Sequence, residues 1–112
     1  MKTPPPYLGE LEQLVLLAVL QCGEDAYTVP IRHILLERSK RNISRGALHT
    51  SLDRLEEKGF LTSKLGESLA IRGGRARRYF VVTTSGLDAL RSARRAVTTL
   101  SRGLESMLEP RR

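Results

Sequence analysis

Four arginines fall within seven residues, Arg72-Gly73-Gly74-Arg75-Ala76-Arg77-Arg78. A guanidinium is permanently charged and presents a planar fork of donors that matches phosphate oxygens. Two glycines keep the segment slender, so it suits a phosphate backbone or a narrow minor groove, where arginine is favoured. A second set lies upstream: Ser44, Arg45, Gly46, His49, Thr50 and Arg54. Arginine pairs with guanine edges, threonine touches a thymine methyl or a phosphate, and glycine permits close backbone approach. Histidine reaches a phosphate more weakly and with pH dependence. Tyr27, Thr28 and Lys64 complete the expected contact set.

The charge balance agrees with this chemistry. The 112 residues carry 19 Lys and Arg against 12 Asp and Glu, a formal charge of +7. Residues 40 to 78 hold ten basic and four acidic side chains, a balance of +6, nearly all of that excess. Such a concentration calls for a polyanionic partner.

Other chemistries find little support. His33 and His49 have no metal-ligand partner at short spacing, and Cys22 stands alone as a small core residue. No G-x-x-x-x-G-K-[ST] string is present, and no Ser/His/Asp set stands out, so neither an enzyme, a cofactor nor a metal is expected. The longest apolar run, Leu14 to Leu20, is far short of the ~20 residues that span a bilayer. The N-terminus lacks the apolar stretch of a signal peptide, and a single cysteine fits a reducing cytoplasm.

The elements that must position these residues follow from periodicity. Leu11, Leu14, Val15, Ala18 and Val19 mark a first helix with a buried stripe. Thr28 is the expected N-cap of a second helix, with Ile31, Ile34 and Leu35 inward and Ser39 to Asn42 as the turn. Ser44 caps a third helix running to about Lys58, with Leu48, Leu52 and Leu55 inward and Gly59 ending it. Residues 60–65 and 78–83 read as strands of a hairpin whose long tip is residues 66–77. A final helix is expected to start after Thr84 or Ser85 and to run to about Leu108. The fold class is therefore mainly α with a two-stranded β-hairpin wing, a winged helix-turn-helix plus a C-terminal dimerisation helix. Residues 1–83 form the DNA-binding domain and 84–112 the dimerisation helix. Leu90, Ala93, Val97, Leu100, Leu104 and Met107 step by three and four as an a/d seam for a second copy.

The same stretches resemble a known family. Leu8 to Ala18, Tyr27 with Ile31, Ser44 to Leu61, Arg72-Gly73-Gly74-Arg75 with Arg78-Tyr79-Phe80, and Thr83 to Gly86 are similar to the helices and wing of PadR-like regulators. The likeness covers roughly residues 8 to 90. It implies a homodimeric transcription regulator, often a repressor, on an inverted-repeat operator in double-stranded DNA. The recognition helix, 44–58, would enter the major groove, and the wing, 66–78, would lie on the backbone or minor groove. Thr28 stands where the family usually has glycine, Pro30 follows it closely, and His49 replaces a common tyrosine. The resemblance also allows a small-molecule effector at the dimer interface, although five aromatics and no Trp make no ligand box. An alternative use of the fold is RNA or protein contact; the exposed helix set favours duplex DNA, because A-form RNA hides its major groove.

Overall fold

The structure is a computed structural model that describes residues 7–66 and 77–110. Helix α1 spans Glu10–Cys22 and is followed by a single 3-10 turn, Gly23–Asp25. Helix α2 spans Thr28–Ser39 and α3 spans Arg45–Glu57. Strands β1, Leu61–Leu65, and β2, Arg78–Val82, form an antiparallel pair, and α4, Thr84–Ser101, and α5, Glu105–Leu108, complete the chain. The winged helix-turn-helix expected from the sequence is the fold observed.

Helix α1 lies at the centre. Its Val15, Leu16, Ala18 and Val19 are buried, and it packs against α2, α3, α4 and β2. The inward leucines of α3, Leu48, Leu52 and Leu55, meet Ile31 and Leu35 of α2 in the same core. Each fully buried leucine contributes roughly 1.5–3 kcal/mol. This shared core fixes the rotation of α3 about its own axis.

Helix α3 begins and ends where its sequence says. Ser44 Oγ accepts the amide of Ala47 at 3.0 Å. At the other end Gly59 takes φ +81°, its amide donates to the Glu56 carbonyl at 2.9 Å, and the Phe60 amide donates to the Leu55 carbonyl at 2.9 Å. This is a Schellman motif, with buried Leu55 and Phe60 as its apolar contact. The motif turns the chain directly into β1.

In the hairpin, Leu61 pairs with Val82 and Leu65 with Arg78. Phe80 sends its ring into the core, and its amide donates to the Ala26 carbonyl at 2.9 Å. The wing is thereby stitched to the start of α2 as well as to α3. The strands are one residue shorter than expected at Phe60 and at Thr83. Thr83 instead caps α4: its Oγ1 accepts the Gly86 amide at 3.0 Å and donates to the Gly59 carbonyl at 2.6 Å.

Two expectations need correction. The N-cap of α2 is Tyr27, not Thr28, and it offers no side-chain cap bond. The final helix is not continuous to Leu108: it stops at Ser101, Arg102 is extended, and Gly103 takes φ +88°. Its amide donates to the Glu105 carboxylate, which starts α5 afresh. Three-and-four spacing runs across this break, so Leu104 and Met107 do not share a helix with Leu90, Ala93, Val97 and Leu100. Leu90 itself is only 3% exposed and belongs to the subunit's own core.

The α4 junction is tight. A Cβ built on Gly86 would stand 2.4 Å from the Phe60 carbonyl oxygen and 2.8 Å from Val82 Cγ1. Backbone cannot yield as a side-chain tip can. Gly86→Ala is therefore expected to destabilise the fold by about 1–3 kcal/mol in urea unfolding, whereas Gly46→Ala, with open space around its Cα, should fold as well as wild type.

Candidate nucleic-acid interface

The surface of α3 divides cleanly. Leu48, Ser51, Leu52 and Leu55 are buried, while Arg45, Gly46, His49, Thr50 and Arg54 are exposed. At 3.6 residues per turn, His49 lies almost above Arg45, and Arg54 lies half a turn round from Arg45. Arg54 sits on the α1 side, where its charge acts on Glu12. The N-terminal half of α3 thus presents Arg45, Gly46, His49 and Thr50 with no acid among them. Ser44 is committed through its hydroxyl to the cap yet remains exposed.

The root of the wing stands beside this helix. Lys64 is exposed on β1 and pairs in register with Tyr79. The Tyr79 ring meets Tyr27 edge-on, with centroids 5.5 Å apart. The Arg77 guanidinium lies 4.5 Å from the Tyr27 ring centroid, a cation–π contact. The two tyrosines, Tyr79 first and then Tyr27, favour the charged form of the Arg77 guanidinium. Tyr27 and Arg77, separated by fifty residues of sequence, therefore share one site. Thr28 is half-buried as the first residue of α2. Arg72 and Arg75, with the glycines between them, lie outside the described residues.

Arg78 has a different environment from the one its sequence suggests. Its Nη2 donates to Glu56 Oε1 at 2.6 Å and its Nε to Ser63 Oγ at 2.9 Å. Ser63 Oγ in turn donates to Glu56 Oε2 at 2.9 Å. Asp53 stands 3.9 Å from the same guanidinium. Neither Glu56 nor Ser63 is among the residues that the sequence marks for this surface. No local spacing links residues 56, 63 and 78; only the hairpin register brings them together.

A second ion pair secures the same end of α3. Lys58 Nζ donates to the Glu12 carboxylate at 2.7 and 2.9 Å and to the Tyr7 carbonyl at 3.3 Å. Glu12 also accepts the Gly9 amide at 2.9 Å, capping α1. Burial acts to raise the Glu12 pKa. Hydrogen bonds from Lys58 and Gly9, with the fields of Lys58 and Arg54, outweigh it and hold the carboxyl below its ordinary range.

Away from α3, the start of α4 borders a groove of about 690 Å³ lined by Tyr7, Leu8, Gln13, Phe60, Ala89 and Ala93, among others. Farther along, Val97 is 63% and Leu100 79% exposed. Among the described residues no three His, Cys, Asp or Glu side chains cluster to hold a metal, and no helix is long and apolar enough to cross a membrane.

Comparison with known proteins matches this arrangement to one family. The sequence profile described as the transcriptional regulator PadR-like family matches residues 16–92, well over half the chain. The chain belongs to the PadR-like family of transcriptional regulators. The PadR-like profile covers the second half of α1, α2, α3, the hairpin and the first half of α4. Among solved structures, a PadR family transcriptional regulator from Eggerthella lenta is 29% identical, with a TM-score of 0.67 over 91% of this chain and 88% of that one. A PadR-like transcriptional regulator from Bacillus cereus is 21% identical, with a TM-score of 0.68 over 90% and 93%. A transcriptional regulator from Clostridium thermocellum is 17% identical, with a TM-score of 0.70 over 88% and 90%. No curated protein matches the sequence. Transcriptional regulation, not catalysis, is the role of this family.

The depressed Glu12 pKa makes a prediction about pH. A carboxyl held below its unfolded value adds stability above the ordinary carboxylate range and loses it as pH falls through the folded pKa. Glu12→Gln should therefore lower the melting temperature at neutral pH. The gap from wild type should close as pH falls from about 6 to about 3; a gap that is constant across that range contradicts the assignment.

Proposed function

We propose that this PadR-like regulator binds double-stranded DNA as a homodimer and represses from an inverted-repeat operator in the cytoplasm. The observation that carries the reading is the N-terminal half of α3, where Arg45, Gly46, His49 and Thr50 stand exposed and free of acids, while the hairpin is tied to the C-terminal half of the same helix. In a helix-turn-helix this is the part of the recognition helix that reaches base edges. The acids of α3, Asp53, Glu56 and Glu57, come later, where the helix would leave the groove.

The division of labour follows from chemistry. Arg45, His49 and Thr50 supply preference among base pairs. Arg54, Lys64, Arg72, Arg75 and Arg77 supply sequence-independent attraction to phosphates. Tyr27, Thr28 and Ser44 border the same surface. Residues 1–83 act as the binding unit, and 84–112 pair the subunits. The open part of the pairing surface is Ala93, Val97 and Leu100 on α4, with Leu104 and Met107 beyond the break. Large exposed apolar side chains in a row along a helix call for a partner.

Selection of duplexes from genomic fragments should return a palindromic motif; equal affinity for all sequences contradicts the reading. On the recovered duplex, Arg45→Ala should relax preference at one position in each half-site. Arg75→Ala should weaken binding to all sequences alike and flatten the salt slope by about one unit. In light scattering the wild type should be a dimer at micromolar concentration and Leu100→Glu a monomer. A monomeric wild type contradicts the pairing surface.

A further inference from the structure

We propose that Glu56, Ser63 and Arg78 form a clamp that sets the angle between the recognition helix and the wing, with Glu56 a positioning residue for DNA binding despite its negative charge. The inference rests on the DNA-binding reading above. It adds a role for three side chains that make no DNA contact in that role.

The three groups close a ring. Arg78 donates to both Ser63 and Glu56, and Ser63 donates to Glu56, so both carboxylate oxygens are engaged. Each member comes from a different element: the last turn of α3, the middle of β1 and the start of β2. Only Lys58, Gly59 and Phe60 join α3 to β1 in sequence, and Gly59 is at positive φ. A hairpin hung from such a junction needs a lateral tie to hold a fixed angle. Backbone bonds supply part of it, from Phe80 to Ala26 and from Thr83 to Phe60. The first acts at the middle of the ladder, where Phe80 pairs with Ser63, and the second at its base. The clamp is the tie between α3 itself and the outer half of β1–β2, since Arg78 pairs with Leu65 at the far end of the described ladder. On the other flank Arg77 and Tyr79 grip Tyr27. The wing root is held from both sides.

Electrostatics alone predicts the opposite sign. Any acid near a polyanion weakens binding, so removing one should tighten it. A clamp predicts that removing Glu56 weakens binding, because the wing loses its register with the helix.

The test compares Glu56→Gln with Glu57→Gln, an exposed neighbour on the same helix, in the full chain on the duplex recovered by genomic selection. Ser63→Ala serves as a variant of unchanged charge. The clamp predicts that Glu56→Gln and Ser63→Ala bind about three- to tenfold more weakly with a shallower salt slope, and that Glu57→Gln binds as well as wild type or better. Hydrogen exchange of the DNA-free proteins reads the clamp separately: amides of β1 and β2 should exchange faster in Glu56→Gln and Ser63→Ala, with α1 unchanged. Tighter binding by Glu56→Gln overturns the positioning role, and hairpin exchange equal to wild type overturns the clamp itself. Faster hairpin exchange in a protein whose wild type binds no duplex overturns the DNA-binding reading and the positioning role with it, while leaving the clamp in place.

Discussion

Burial of the leucine face of α3 is the constraint on which the rest of the molecule depends. Leu48, Leu52 and Leu55 are each fully buried against α1 and α2. Their burial decides which side of the helix faces water, and so turns Arg45, His49 and Thr50 outward. Losing one of them to alanine would cost about 2–5 kcal/mol, a large share of the 5–15 kcal/mol that holds a domain of this size together. The surface chemistry of α3 is therefore a consequence of its core chemistry. Apolar residues select the rotation, and the remaining positions are left to meet a partner.

The two ends of α3 are treated differently. Its C-terminal end is tied three times: by the Schellman turn at Gly59, by Lys58 to Glu12, and by Glu56 to Ser63 and Arg78. Its N-terminal end carries the Ser44 cap and is held on its inner face by buried Leu48, while Arg45, Gly46, His49 and Thr50 stay exposed. Exposed ion pairs contribute little stability one by one, typically below ~1 kcal/mol. Their value here is geometric, since each joins α3 to a different neighbour.

Much of this was legible in the sequence because the signals are local. Ser44 and Gly59 mark the limits of α3, and three leucines at helical spacing mark its inner face. Strand alternation tells that one of Tyr79 and Phe80 enters the core, and the structure shows that it is Phe80. Interactions closed over long distances were not legible. Nothing near Arg78 announces Glu56, and nothing near Arg77 announces Tyr27. The final helix failed for another reason. Its apolar steps of three and four pass through Gly103 unbroken, so periodicity argued for continuity where backbone conformation ended the helix. The pattern counts side chains, whereas the break depends on one residue able to adopt positive φ. Leu90 shows a related limit: it keeps the seam's spacing but belongs to the subunit core, because Gly86 lets α4 approach Phe60 and Val82 so closely.

In the proposed function, two copies of α3 meet one duplex with their N-terminal halves in the major groove. Hydroxyl-radical footprinting of the dimer on its recovered duplex reads that geometry directly. The account predicts two protected patches related by two-fold symmetry, centred about one helical turn, or a small multiple of it, apart, with weaker protection flanking each where the wing lies. A single asymmetric patch, or uniform protection that follows no register, would contradict it.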